Sequence, residues 1–95
     1  MIVFKGYVSS ISHSGKSGWG VNYLYSVNNH IYTGRGSLPH FKNNNDKDIL
    51  VEKYFPIVID STDFTNVDML FDSLSFAHYR LQYPDSLRWL KEYLR

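Results

Sequence analysis

Gly15-Lys16-Ser17 has the residue types that close a phosphate-binding loop. That loop needs a glycine five residues before Gly15, where Ser10 stands, and a long helix after it. Gly18 and a strand pattern follow instead, so a plain hairpin turn is expected. The four histidines, His13, His30, His40 and His78, share no helical face, and no Asp or Glu sits at a metal-ligand spacing from them. Asp60, Ser61 and Asp63 follow an apolar run, where catalytic carboxylates often lie. Ser61 has no nearby histidine and no nucleophile-elbow pattern, so a turn and helix cap is the simpler reading. No catalytic, metal or cofactor residue is therefore expected, and the chain does not read as an enzyme.

Aromatics interleaved with basic residues carry a different chemistry. Tyr23, Tyr25 and Tyr32 with Lys5 and Arg35 could stack and neutralise a single nucleic-acid strand on a small barrel. Ten basic residues against nine acidic ones, a net charge of +1, offer no basic surplus for that role. Core and cross-strand packing accounts better for the tyrosines, and whatever aromatic surface the helices leave uncovered suits protein contact, where Tyr and Trp are favoured. Trp19, Tyr23, Tyr25, Tyr32 and Arg35 are the expected partner-binding residues, and the expected partner is another protein.

The elements that must hold these residues are those of one domain of 95 residues. Folding a chain of this size buries roughly 65% of its unfolded surface. Eight tyrosines and six phenylalanines supply a core without metal or disulfide support, and cysteine is absent. No apolar run is long enough to cross a bilayer. Met1-Ile2-Val3-Phe4 runs at once into Lys5-Gly6, unlike a signal peptide. The chain reads as soluble, and as cytoplasmic if it is complete; composition leaves the compartment and oligomeric state open.

Ile2 to Ser12 reads as a first strand, with Ile2, Phe4 and Val8 on one face and Val3, Tyr7 and Ile11 on the other. Gly6 marks a bulge or bend. Trp19, Val21, Tyr23, Tyr25 and Val27 alternate as a second strand. Asn28-Asn29 suits a two-residue turn into a third, Ile31 to Arg35. Ser37 to Asp48 reads as an exposed loop. Tyr54 to Ile59 is a strand buried on both faces, with Pro56 at an edge or bulge. Thr65 or Asn66 should cap a helix whose apolar stripe is Val67, Leu70, Phe71 and Leu74. Pro84 should open a final helix with Leu87, Leu90 and Leu94 inward, flanked by Trp89 and Tyr93, and Arg88 paired to Glu92.

Gly6-Tyr7-Val8, Val21 to Asn28, Ile31-Tyr32-Thr33-Gly34 and Lys53 to Asp60 follow an order seen elsewhere. The chain resembles an uncharacterised bacterial family of small SH3-like β-barrel domains that often adjoin membrane helices. That family's pattern joins a Gly-x-Val strand, a Tyr-x-Tyr-x-Val hairpin and a late Pro-Val strand. The tail Pro84-Asp85-Ser86-Leu87-Arg88-Trp89 resembles the Bacteroidetes-type Pro-Asp-Ser-Leu-Lys-Trp ending. Asn29 stands where the family's turn has glycine, and Phe64-Thr65 where Asn-Pro is common. The resemblance implies a small barrel and carries no catalytic residues with it.

The expected fold is α+β: a bent, SH3-like antiparallel sheet or barrel of four to five strands over about 2–60, then helices over about 66–94. The expected function is non-catalytic protein binding, as an accessory domain of a bacterial envelope protein. The alternatives are a small inhibitor of the immunity or anti-defence type and a single-stranded nucleic-acid-binding barrel.

Overall fold

Strand β1 (Ile2–Ser14) is long enough to serve two neighbours, and that property organises the molecule. The computed structural model describes residues 2–15 and 18–95, with Ser14 described by its backbone alone. Lys16 and Ser17 of the loop-like motif lie outside the described residues. The first half of β1 pairs with β4 (Tyr54–Asp60), from Ile2 opposite Ile59 to Tyr7 opposite Tyr54. Its second half pairs with β2 (Gly18–Val27), and the register shifts between Val8 and Ser10. A bulge there raises the local twist and lets the strand pass from one partner to the other.

Gly6 sits on the crowded side of this crossing. A Cβ on it would stand 2.6 Å from Met69 Cε and 2.9 Å from Ile57 Cγ2. β3 (His30–Ser37) returns along β2 through the Asn28-Asn29 turn, whose φ angles of 53° and 64° are both left-handed. Two left-handed residues match the twist of a hairpin, and Asn tolerates the conformation.

The helix expected after Asn66 is instead β5 (Asp63–Met69), paired to β4 with Ile57 opposite Met69 and Ile59 opposite Val67. A short apolar spacing fits either element, and the backbone of β4 decides it. The expected stripe is split accordingly: Leu70 and Phe71 are buried, but Leu74 is 82% exposed. Helix α1 (Ser73–His78) begins later, with Asp72 accepting from Ser75 N at 2.8 Å as its cap.

The strand order is β3-β2-β1-β4-β5, every neighbour antiparallel. The two edges, β3 and β5, therefore run parallel and face each other. Tyr25 donates its hydroxyl to the Phe64 carbonyl at 2.7 Å, and the Tyr32 and Phe64 rings meet edge-on at 6.5 Å. Side chains thus nearly close the sheet into a barrel. With short helices at the C-terminus, the chain is the small α+β barrel that the strand patterns predict.

The segment 37–48 is not a plain loop: a 3-10 helix (Asn44–Leu50) forms there, with Asn43 Oδ1 accepting from Asn45 N. Its polar run faces outward because Phe41 and Leu50 anchor both sides in the core. Phe41 also bridges Leu94, flanked by Lys42 N→Tyr93 O and Arg95 N→His40 O. Pro56 lies in an internal strand, not at an edge. Its carbonyl accepts from Leu70 N, so its nitrogen points past the end of the β5 ladder, where no donor is needed.

At the C-terminus a 3-10 turn (Asp85–Leu87) runs into α2 (Arg88–Lys91), and Leu87, Leu90 and Leu94 are all buried. Arg88 pairs with Asp85 at 3.1 Å rather than with Glu92, because α2 ends before a full turn separates those two. The pair is exposed and contributes little. No helix among the described residues is long and apolar enough to cross a membrane.

Candidate partner-binding groove

Apolar residues on both faces of β1 create more surface than the helices cover. Along the β1–β4 ladder Val3 faces Val58, Lys5 faces Pro56 and Tyr7 faces Tyr54. The turn after Pro84 lays Leu87 and Trp89 beside this ladder. Between them lies an open groove of about 720 Å³ whose walls include Val3, Phe4, Tyr54, Pro56, Leu87 and Trp89. Val3 is 46%, Phe4 37% and Tyr54 62% exposed.

These walls are backed by fixed rings. Tyr54 tilts against Tyr7 at 5.2 Å, and Trp89 against the buried Phe55 at 6.3 Å. Phe55 in turn meets Phe71 edge-on at 4.8 Å. Lys53 places its Nζ 5.6 Å over the Trp89 ring and donates to Ile49 O at 2.7 Å. Lys5 lines the same groove, and among the described residues no carboxylate does. The surface offers apolar contact and positive charge.

The residues expected to bind a partner do not form one surface. Tyr23 and Tyr25 are core residues, 1% and 3% exposed, and cannot meet a partner. Their alternation marks the inward face of β2. The Tyr23 ring lies across Gly34, where a Cβ would stand 2.5 Å from Cε2. Glycine is required by that close approach. Burial, with Asp68 nearby, pushes the Tyr23 phenol up to about 12, and its hydroxyl has no hydrogen-bond partner among the described residues. Burial also raises Tyr25, Tyr79 and Tyr83. Tyr32 is half-buried, stacked on Tyr25 at 5.5 Å.

Trp19 and Arg35 do reach the surface, around a separate depression bordered by Gly36 and Asp68. Lys47 Nζ stands 4.6 Å over the Trp19 ring and His13 meets its edge at 5.1 Å. Arg35 donates through Nη1 to Ser12 Oγ and Asn22 Oδ1, and through Nη2 to the Ser12 and Gly18 carbonyls. These bonds fasten the turn end of the β1–β2 hairpin and leave few donors for a ligand. Lys5 lies at the other site, so the basic–aromatic face does not assemble.

The Asp60–Asp63 segment is a turn. Asp60 accepts from Thr62 N and Oγ1, which holds its carboxyl below the usual range, and Asp63 accepts likewise from Thr65. No group of three His, Asp or Glu side chains comes together to hold a metal among the described residues. Sequence reasoning missed the groove residues Val3, Phe4, Tyr54 and Trp89; the two-sided apolar pattern of β1 was the available signal. Searches against family models, curated proteins and solved structures returned no match.

Proposed function

We propose that this domain is a non-catalytic protein-binding module that holds its partner in the β1–β4 groove. The observation that carries this reading is a single open groove lined by three exposed residues, Val3, Phe4 and Tyr54, together with Leu87 and Trp89. Contiguous apolar surface of this kind marks interaction sites, whereas scattered exposed apolar residues do not. The bacterial small-barrel resemblance supports the same role, as an accessory domain of an envelope protein. A small inhibitor of the immunity or anti-defence type would use the surface in the same way. The winding, with β4 beside β1 and β3 against β5, is closer to an OB-type barrel than to the SH3-like one of that family.

The OB-type order also favours a second reading, a single-stranded nucleic-acid site at Trp19 and Lys47. Fold alone is a weak ground for it, and the Arg35 donors are already engaged. Affinity enrichment with wild type, Phe4→Ser/Tyr54→Ser and Trp19→Ser separates the readings. Protein binding through the groove requires a partner kept by wild type and Trp19→Ser and lost by the groove variant. Equal retention by all three defeats it. Salt-sensitive oligonucleotide binding abolished by Trp19→Ser would establish the second reading.

A further inference from the structure

We infer that the groove takes a short peptide segment that joins a large apolar side chain to flanking carboxylates. This rests on the groove being the binding surface, and adds the chemistry of what enters it. Among the described residues, the cations Lys5 and Lys53 line the groove with no carboxylate between them. The nearest acid along the helical turn, Asp85, is engaged with Arg88. On a chain of net charge +1 this is a local positive excess, not a reflection of the whole. Lys53 is held in place by the Ile49 carbonyl, with its Nζ beside the Trp89 ring.

A volume of about 720 Å³ is the size of a ligand pocket and admits a few side chains, not a domain face. The apolar floor accepts one large side chain, and the lysines select its neighbours by charge. A nucleic-acid strand meets the same charge but fits the walls poorly. Tyr54 has Tyr7 behind it, Trp89 carries Phe55 and Lys53, and Val3, Pro56 and Leu87 are aliphatic. Bases need open ring faces in series along a basic track.

The test selects a phage-displayed random dodecapeptide library on the whole chain, with counter-selection on Phe4→Ser/Tyr54→Ser. Circular dichroism first establishes that this variant is folded. Enriched peptides should pair an aromatic or long aliphatic residue with Asp or Glu. A synthetic copy should lose about tenfold in affinity on Lys5→Glu/Lys53→Glu and weaken as salt is raised. A copy with Lys in place of its acids should prefer that variant. Groove-dependent peptides that ignore both charge changes would refute the acidic preference and leave the groove standing. Failure to enrich any peptide that depends on Phe4 and Tyr54 would refute both. Oligothymidylate binding lost on Phe4→Ser/Tyr54→Ser would overturn the choice of a peptide.

Discussion

Replacing Tyr23 with phenylalanine should stabilise the protein, and replacing Tyr25 in the same way should destabilise it. Both rings are in the core, 1% and 3% exposed, and they are neighbours at 6.1 Å. They differ in what the hydroxyl does. Tyr25 donates at 2.7 Å to the Phe64 carbonyl across the β3–β5 seam, whereas Tyr23 has no partner among the described residues. A buried hydroxyl without a partner costs ~1–3 kcal/mol. The gap left by removing one oxygen, on the order of 10 Å³, costs only ~0.2–0.3 kcal/mol. Tyr23→Phe should therefore gain ~1 kcal/mol or more at neutral pH, and Tyr25→Phe should lose ~1–2 kcal/mol.

The alkaline limb gives a second readout. The Tyr23 phenol ionises near 10 when unfolded and at about 12 in the fold. Between those values the unfolded chain has released the proton that the folded chain still holds. Stability contributed by the neutral phenol is complete below pH 10 and falls as pH rises through 12, by ~2–3 kcal/mol in all. Urea unfolding followed by tryptophan fluorescence, at neutral pH and across that window, measures both. The phenylalanine variant should show the shallower alkaline fall. A Tyr23→Phe protein that is less stable at neutral pH, with an unchanged alkaline slope, would refute the reasoning.

Gly34→Ala should cost ~2 kcal/mol or more, because its methyl would stand 2.5 Å from the Tyr23 ring; a thermal melt decides it. Asp72→Ala removes the cap bond to Ser75 N and should lower stability by ~1 kcal/mol in urea unfolding. Leu90→Ala, at a fully buried position, should lose ~2–4 kcal/mol by the same measurement. Tyr54→Ser should leave the melting temperature within a few degrees of wild type while abolishing partner capture in a binding titration, since the side chain is 62% exposed.

What could be read without coordinates was local. The alternation from Trp19 to Val27 and the Asn28-Asn29 pair specify a hairpin by backbone preference alone, and it forms in that register. The Leu87, Leu90 and Leu94 spacing likewise places three residues inward whatever they meet. Asp63–Met69 could not be resolved this way. Val67, Leu70, Phe71 and Leu74 satisfy a helical period, and only the vacant edge of β4, fixed by pairing with β1 far away in sequence, divides them between strand β5, a connecting turn and the start of α1. The inward position of Tyr23 and Tyr25 is legible in the strand pattern. Asn22 and Ser26 alternate with them, so the tyrosine face had to be the inward one.

The groove is only partly legible, for a different reason. Val3, Phe4, Tyr54 and Trp89 come from three segments, and each residue alone reads as ordinary core. Whether such a residue is covered depends on how far the C-terminal helices extend over the β1–β4 ladder. α2 runs for only four residues, enough to bring Trp89 against Phe55 but not to shield Phe4 or Tyr54. A longer helix with the same apolar residues would have closed that face and left the protein with no groove. The apolar surplus of β1 and the shortness of α2 are therefore one property, and substitutions that lengthen α2 over Phe4 should diminish partner capture as they increase stability.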